Sequence, residues 1–286
     1  EITMNKQKLH DLRVFAAEIR LETLKIIGSR GFGHVGGSMS MADAMAVLYG
    51  DVMNIDPKNP RWEDRDWFVL SKGHGGPVMY ATLGLKGYYP LESAYTLNQP
   101  GTDFPSHTDR RKTVGVDLTT GSLGQGMSEA VGAALGSKVK GRTNHVFVAV
   151  GDGECDEGEV WEAAQFAAHY KLDNLVCLVD NNKRQLDGAV ADVMSHGKGI
   201  GAKFDAFGWH VIDVKDGNDV EQISAAIAEA YTVKNQPTCL ILNTVKGKGA
   251  TFAEPSGAHS SQPTKEQWEE AIAASEVQLA AIRAEQ

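Results

Sequence analysis

The sequence predicts an α/β protein with an open, mainly parallel sheet that helices cover on both faces. From about residue 143, short runs of consecutive apolar residues alternate with segments of helical periodicity, a pattern typical of parallel strands buried on both sides. The 31 glycines are concentrated in loops between these segments, where tight turns or a closely approaching ligand need them. With 286 residues and 42% hydrophobic content, the chain is long enough to bury a core without disulfides.

The first 142 residues predict helices, Gly- and His-rich loops, and one strand. Leu9, Leu12 and Ala16 begin an apolar stripe at helical spacing, and Gly28 is predicted to end that helix. Ser40 precedes the next apolar stripe and is a candidate N-cap. The predicted helices of this part cover residues 6–29, 40–52, 75–85 and 128–140. The predicted strand covers residues 67–70.

The regular α/β part is predicted over residues 143–250, with a C-terminal helix over about 264–284. We expect the whole chain, 1–286, to form a single domain, because the strands of the regular part need the preceding helices to cover them. The predicted strands cover 145–150, 174–179, 209–214 and 238–243, and the predicted helices between them cover 157–170 and 220–231.

Charge and composition exclude several functional classes. The net charge of −9 argues against a nucleic-acid surface, which would be basic. No apolar run approaches the ~20 residues of a membrane helix, and the polar first ten residues do not resemble a signal peptide. Three cysteines without metal-ligand spacing indicate a reducing, cytoplasmic compartment and no zinc site.

Polar loops follow two successive predicted strands. Asp152, between two glycines, follows one strand, and Asn182 follows the next. The carboxyl ends of parallel strands share one edge of the sheet, where open α/β sheets bind ligands. A carboxylate and an amide oxygen suit Mg²⁺, with Ca²⁺ or Mn²⁺ as alternatives, and Gly153 would let a phosphate approach the backbone. Either loop alone is also compatible with an ordinary turn, whereas the pair at this spacing is more specific.

These strings resemble the diphosphate- and metal-binding signature of thiamine diphosphate enzymes, and further strings narrow the resemblance to the transketolase family. The further motifs are GHVGG at 33–37, SKGHG at 71–75, PSHTD at 105–109, TTGSLGQG at 119–126, TVKGKG at 244–249 and a later His259. The resemblance covers nearly the whole chain and implies the diphosphate-type domain of the thiamine diphosphate-binding fold. Val35 stands where the family often has proline, and Ser260 where it usually has glycine.

The resemblance implies a role for each matching residue. Asp152, Asn182 and the backbone carbonyl of Arg184 match metal ligands. Gly121 and Leu123 match positions at the aminopyrimidine side of the cofactor. The groups that match the surroundings of the diphosphate are His74, Gly153, Asn182, Lys246 and His259. The catalytic set implied by the family comprises two substrate-facing histidines, a histidine shared with the cofactor, and a glutamate between paired active sites: His34, His107, His259 and Glu157.

After residue 250 the sequence predicts a helix and no second Gly-rich α/β unit. The resemblance therefore implies that the pyrimidine pocket, with its activating glutamate, lies on a C-terminal transketolase subunit, in an α2β2 heterotetramer. The implied reaction moves a two-carbon ketol unit from a ketose, expected to be phosphorylated, to an aldose. Two alternatives stay open at this point: the equivalent subunit of a 2-oxo-acid dehydrogenase, and a non-catalytic diphosphate-binding module.

Overall fold

A five-stranded parallel sheet forms the centre of the protein. The computed structural model describes residues 5–285, and its main sheet has the strand order β1-β2-β3-β7-β6, with every neighbouring pair parallel. This architecture confirms the predicted fold class. The strands of the main sheet are β1 (Trp67–Leu70), β2 (Val146–Gly151), β3 (Leu175–Asp180), β6 (His210–Val214) and β7 (Thr238–Leu242). A separate antiparallel hairpin is formed by β4 (Arg184–Gln185) and β5 (Gly188–Ala189).

Ten α-helices occur in the described residues, and most of them cover the two faces of the sheet. They are α1 (Lys6–Gly28), α2 (Gly36–Met39), α3 (Ala42–Val47), α4 (Gly76–Leu85), α5 (Gln125–Val139), α6 (Gly158–His169), α7 (Val190–Val193), α8 (Ile200–Ala206), α9 (Val220–Ala230) and α10 (Lys265–Ala284). Short 3-10 turns at Gly73–Gly75, Leu91–Thr96 and Glu154–Asp156, and a π-turn at Leu48–Val52, complete the regular elements.

The central strand β2 shows how the two cores arise. Alternate side chains of a strand point to opposite faces, so Phe147 and Ala149 join the core beneath α1, α3, α4 and α9. Val146, Val148 and Val150 join the other core, beneath α5, α6 and α8. Burial on both faces explains why this strand is a continuous apolar run in the sequence. Strand β1 comes from the first 142 residues and pairs with β2, so the two predicted parts share one sheet.

One of the two local predictions about helix ends was wrong. Helix α1 ends at Gly28, as predicted, although Ser29 stays in the right-handed region and the positive φ comes at Gly31, at +82°. Ser40 is not an N-cap, because Met41 holds that position without a side-chain hydrogen bond. The Ser40 hydroxyl instead donates to Asp180 at 2.7 Å. In place of one helix over 40–52, the chain forms α3 and the π-turn that follows it. The Ser40 side chain is bonded to Asp180 at the end of β3.

The C-terminal helix closes the helical side of the molecule. Thr264 and Gln267 form a capping box at its start, and the Trp268 indole donates to the Gly31 carbonyl at 3.2 Å. That contact fixes the loop that leads to His34. No helix of residues 5–285 has the length and apolarity required to cross a bilayer.

Candidate active site

The candidate site lies at the carboxyl end of the sheet, as predicted. The segments that follow β1, β2, β3 and β7 surround a cavity of ≈ 300 Å³. Lining residues from these segments include His74, Asp152, Asn182 and Lys246. The topology therefore brings together residues that are up to 172 positions apart in the chain, from 74 to 246.

Four predicted histidines lie close together, and two of them, His74 and His259, line this cavity. The ring centroid of His34 lies 5.4 Å from that of His74, 5.7 Å from that of His107 and 5.4 Å from that of His259. The His74 and His259 centroids are 4.7 Å apart. We call these four residues the imidazole cluster.

Backbone pairing explains how the cluster is assembled. Gly33 and Ser261 exchange two backbone hydrogen bonds of 3.2 and 3.1 Å, which places His34 beside His259. Next to His107, Thr108 shares a 2.8 Å hydrogen bond with Thr120, whose hydroxyl donates to the Leu70 carbonyl at the end of β1. Backbone pairing thus places His34 and His259, and the hydroxyl contacts of the following threonine place His107.

Close packing at Gly73 brings the His74 turn against the loop that carries Gly121. A Cβ atom at Gly73 would lie 2.7 Å from the Thr120 hydroxyl and 2.9 Å from the Gly121 nitrogen. Both contacts are too short for any side chain, so only glycine permits this approach. The conspicuous glycines of the sequence therefore do serve loops around a site.

The cluster favours neutral imidazoles. Burial, together with His107, lowers the pKa of His34, and burial lowers the pKa of His107. Burial and then the Lys246 ammonium lower the pKa of His259 to about 4. Burial and the Lys72 ammonium lower the pKa of His74 well below its usual range. Neutral rings both donate and accept hydrogen bonds, so the cluster can hold hydroxyl groups and transfer protons near neutral pH.

Asp152 and Asn182 occupy the opposite wall of the cavity. The Asp152 carboxylate accepts the backbone N–H groups of Gly153, at 2.8 Å, and of Lys183. The Asn182 amide donates to Asp180 at 3.0 Å through Nδ2, which leaves Oδ1 as its acceptor atom. Burial and the neighbouring Asp180 raise the pKa of Asp152 to about 6. A carboxylate with a raised pKa lacks a sufficient counter-charge.

A buried ion pair beneath the cavity was not predicted. Lys72, which the sequence analysis did not assign to the site, is only 1% exposed and bonds to Asp180, which is fully buried. Asp180 also accepts the hydroxyls of Ser40 and Thr244. The Lys72 ammonium keeps the pKa of this carboxyl below its ordinary value despite burial. The Lys72–Asp180 pair joins the ends of β1 and β3, and Asp180 accepts a hydrogen bond from Asn182. In the sequence, the pair is indicated only by the charged lysine inside the SKGHG motif.

Lys246 and Arg184 meet at the edge of the cavity. The Lys246 ammonium donates to the Arg184 carbonyl at 2.9 Å and lies 3.2 Å from His259 Nδ1. Burial and the Lys72 charge lower the pKa of Lys246 to about 8. The Arg184 carbonyl, which the resemblance assigns to the metal, therefore points into the site and accepts a hydrogen bond from the Lys246 ammonium.

Gly121, Leu123 and Glu157 lie on the more open side. A Cβ at Gly121 would pack 3.4 Å from the His107 ring, Leu123 is 36% exposed, and Glu157 precedes α6 as its N-cap residue without a side-chain cap. Leu123 and Glu157 both line the cavity. An apolar side chain and a carboxylate are therefore presented outward, next to Gly153.

Glu154 was not among the site residues predicted from the sequence. Its buried carboxylate accepts the Gly124 and Gly151 N–H groups, each at 2.9 Å, and the Ser71 hydroxyl. It therefore ties the loop of Leu123 to the ends of β1 and β2.

Comparison with known proteins decides the family. Residues 12–274 match the family model described as "Transketolase, thiamine diphosphate binding domain". The chain belongs to the transketolase family. The recognition of this family from sequence is confirmed, and with it the expectation of an enzyme component with a thiamine diphosphate-binding domain.

Two similar relatives are themselves named as subunits. The chain is 48% identical to a 6-deoxy-6-sulfo-D-fructose transketolase subunit of Clostridium sp., over 94% of this chain and 98% of the relative. It is 35% identical to an apulose-4-phosphate transketolase subunit of Phocaeicola vulgatus, over 93% and 94%, respectively.

Solved structures show the same fold. The chain superimposes on the transketolase of Pichia stipitis, solved in complex with sedoheptulose 7-phosphate, with a TM-score of 0.84, 28% identity, and coverage of 96% of this chain and 46% of that chain. The transketolase family member described here thus spans about half the length of that solved relative.

Proposed function

We propose that this chain is the thiamine diphosphate- and Mg²⁺-binding subunit of a two-component transketolase. The reaction would transfer a two-carbon ketol unit from a ketose to an aldose. The observation that carries the proposal is the convergence of four imidazoles next to a cavity that His74 and His259 line together with Asp152, Asn182 and Lys246. The imidazoles can bind the hydroxyl groups of a sugar substrate. Asp152 and Asn182 can bind a metal cation, and Lys246 can bind the diphosphate of the cofactor.

The donor set fits a divalent cation. Asp152 is buried without a paired side-chain cation, and its raised pKa of about 6 shows that the carboxylate would be stabilised by added positive charge. A carboxylate, the Asn182 amide oxygen and the Arg184 carbonyl are the oxygen ligands that Mg²⁺ accepts. Ca²⁺ or Mn²⁺ would be bound by the same set.

The surrounding groups also fit a diphosphate. Lys246 supplies positive charge, and a Cβ at Gly153 would lie 2.6 Å from Gln185, so only glycine leaves backbone room at this wall. When bound, thiamine diphosphate supplies the carbanion chemistry that cleaves and forms the C–C bond. The chain's own groups bind and orient: His74, His259 and Lys246 hold the anionic end, and Gly121 and Leu123 border the pyrimidine side.

The substrate side is assigned to the more exposed histidines. His34 and His107 would hydrogen-bond the hydroxyls of the sugar and move protons between them, because both rings are neutral near pH 7. His259 contacts both walls of the site through Lys246 and His34. Glu157 would sit between paired active sites of the assembly.

A partner subunit is part of the proposal. Support comes from the two relatives named as subunits, which this chain matches over nearly their full lengths. We propose that the partner is a C-terminal transketolase subunit that carries the pyrimidine-binding domain, and that the assembly is α2β2, since two-fold symmetry would generate paired sites. We also propose that the chain forms a single domain, and the free, buried cysteines suit a cytoplasmic compartment.

The donor is proposed to be a ketose with an anionic terminal group. The named relatives act on a sulfonated and a phosphorylated sugar, respectively, which suggests an anion at the far end of the substrate. The closer identity to the sulfofructose relative favours a sulfonate over a phosphate.

The deciding experiment is a reconstitution with the two substrates in parallel. The chain is mixed with its candidate partner, thiamine diphosphate and Mg²⁺, and ketol transfer is followed from 6-deoxy-6-sulfofructose and from fructose 6-phosphate. Transfer that requires both subunits and the cofactor supports the proposal. Tight binding of diphosphate compounds without transfer from any ketose would favour the non-catalytic module instead. The dehydrogenase alternative loses its support because the family is transketolase.

A further inference from the structure

One buried histidine lies outside the imidazole cluster, in a segment that is otherwise exposed. Residues 184–199 comprise the β4–β5 hairpin, α7 and the loop before α8, and we call them the cover segment. Only Val190 and His196 are buried among these sixteen positions, counted from 184 to 199. An isolated buried imidazole on an exposed loop needs hydrogen-bond partners to offset its burial.

The partners of His196 fix its tautomer. Nε2 lies 2.9 Å from the backbone carbonyl of Asp152, and Nδ1 lies 3.1 Å from the Lys203 ammonium. A carbonyl only accepts and an ammonium only donates, so Nε2 carries the proton and Nδ1 is the acceptor. His196 therefore donates from Nε2 to the loop of the proposed metal ligand.

Lys203 is itself held in place, on the first turns of α8. Its ammonium lies 5.1 Å from the centroid of the Trp161 ring, within cation–π range. The chain of contacts runs from Trp161 on α6 through Lys203 and His196 to Asp152. It connects the packed body of the protein to the loop after β2.

The same cover segment contributes to the cavity. Gln185 packs on Gly153, and the Arg184 carbonyl faces Lys246. At the base of the segment, the Lys183 N–H donates to the Asp152 carboxylate, and the Val190 N–H donates to the Lys183 carbonyl at 3.0 Å. The cover segment is thus connected to Asp152 at two places, through Lys183, which immediately precedes it, and through His196 near its end.

We propose that His196 is a positioning residue that anchors the cover segment to the backbone of Asp152, and so keeps Asp152, Arg184 and Gln185 in their cofactor-binding arrangement. His196 touches neither the substrate nor the cofactor in this assignment. Its contribution is the single Nε2–H···O=C hydrogen bond, with the tautomer selected by Lys203. The anchoring is a property of the chain itself, and only its consequence for thiamine diphosphate rests on the proposed function.

The first test measures amide hydrogen exchange of the full chain by mass spectrometry. His196→Phe removes the donor, and we expect exchange in peptides spanning 183–190 to accelerate about ten-fold, the equilibrium effect of one lost hydrogen bond. His196→Gln places an amide N–H near the former Nε2 and should restore most of the protection. Lys203→Met keeps the imidazole but frees its tautomer, and should give a smaller increase. His169→Phe, on the exposed end of α6, is the control and should exchange as the wild type does.

The second test titrates thiamine diphosphate into the reconstituted enzyme with Mg²⁺ in excess. His196→Phe should raise the concentration of cofactor for half-maximal activity about ten-fold, with kcat at saturation within about two-fold of the wild type. His196→Gln should give a value near that of the wild type.

Different outcomes test the anchoring by His196 and the proposed function of the chain. Unchanged exchange at 183–190 in His196→Phe and Lys203→Met would overturn the anchor. Equal losses in the Gln and Phe variants would also overturn it, since the hydrogen bond would not be the cause. A wild-type enzyme that needs no thiamine diphosphate contradicts the proposed function, whereas a cofactor-dependent wild type with an unaffected Phe variant contradicts the positioning role alone.

Discussion

Asp152 is the residue on which the proposed cation site depends most. Asp152→Asn keeps the shape but removes the charge and one of the two acceptor oxygens, so we expect cofactor affinity to fall more than about 100-fold, since even groups that only support a metal ligand cost roughly 10- to 100-fold. Stability should change little, because the loss of one backbone hydrogen bond is offset by relief of the unfavourable burial of the carboxylate. Calorimetric titration of the assembled enzyme with thiamine diphosphate, at several Mg²⁺ concentrations, measures the change. Asp192→Asn, on an exposed position, is the control, and Mg²⁺-dependent binding of normal strength in Asp152→Asn would refute the ligand assignment.

His107 and His74 are predicted to separate turnover from cofactor binding. His107 is exposed and His74 lies deeper, against Lys72 and His259. His107→Asn should lower kcat about 100-fold, within the range of general acid–base effects, with a near-normal thiamine diphosphate requirement. His74→Asn should mainly raise that requirement. Steady-state kinetics with varied cofactor and varied ketose distinguish the two, and identical profiles for the two variants would count against the separate roles.

The lowered pKa of His259 predicts a pH-dependent stability. Its folded-state pKa is about 4 against 6.5 in the unfolded chain, so the unfolded state takes up the proton first as the pH falls. The contribution of neutral His259 to the free energy of unfolding is therefore fully present above about pH 6.5 and is lost as the pH decreases towards 4. Asp152, with a pKa of about 6, acts in the opposite direction and is present in both proteins compared. The Tm of His259→Gln should therefore decrease less than that of the wild type between pH 7 and 5, and a steeper decrease would contradict the assignment.

At the scale of elements, the buried Glu154 connects three loop ends. Glu154→Gln replaces an oxygen that accepts two N–H groups and a hydroxyl with an amide that must also donate. We expect the free energy of unfolding to fall by about 1–3 kcal/mol, the cost of leaving buried donors unsatisfied. Urea denaturation measures this, with the exposed Glu162→Gln as the matched control. A loss no larger than that of the control would show that the carboxylate does not hold these loops.

The elements that sequence predicted well are those whose pattern reflects local packing. Strands β2, β3 and β7 are largely apolar at consecutive positions because both faces are covered, whereas the edge strand β6 carries His210 and Asp213 and is mostly half-buried. Long helices such as α1 and α10 were also anticipated, with ends displaced by a few residues. The predicted helix from Ser40 was wrong in its start because Ser40 serves Asp180, 140 positions away, and no local pattern encodes that partner.

In the site, too, sequence patterns did not predict contacts between residues that are far apart in the chain, such as those of His196 in the cover segment. The four cluster histidines were identifiable from the motifs that contain them, and the structure brings them together. His196 was classed with ordinary surface or core histidines, because it stands in no motif and its partners Asp152 and Lys203 lie on other elements. Lys72 is inside a recognised motif and Glu154 directly follows one, yet their burial could not be known before the ends of β1, β2 and β3 were seen to meet.

At the scale of the whole molecule, the site is open on the side of Leu123 and Glu157. We propose that the partner subunit covers this side and supplies the pyrimidine-binding domain. An exposed half-site would bind thiamine diphosphate weakly, since an Mg²⁺–diphosphate contact in open solvent competes with hydration. The chain alone should therefore bind the cofactor weakly, and the mixture with its partner strongly and with the particle mass of an α2β2 assembly. Equal affinity with and without the partner, by calorimetry, would contradict this division of the site.

The two-component transketolase is tested most directly by ketol transfer with purified proteins. Transfer from the sulfonated or phosphorylated ketose to an aldose is assayed with this chain alone, with the partner alone and with the two mixed, all with thiamine diphosphate and Mg²⁺. The account predicts activity only in the mixture, and its loss when the cofactor is omitted. Full transketolase activity from this chain by itself would contradict the account, as would a cofactor-loaded mixture that transfers no ketol unit.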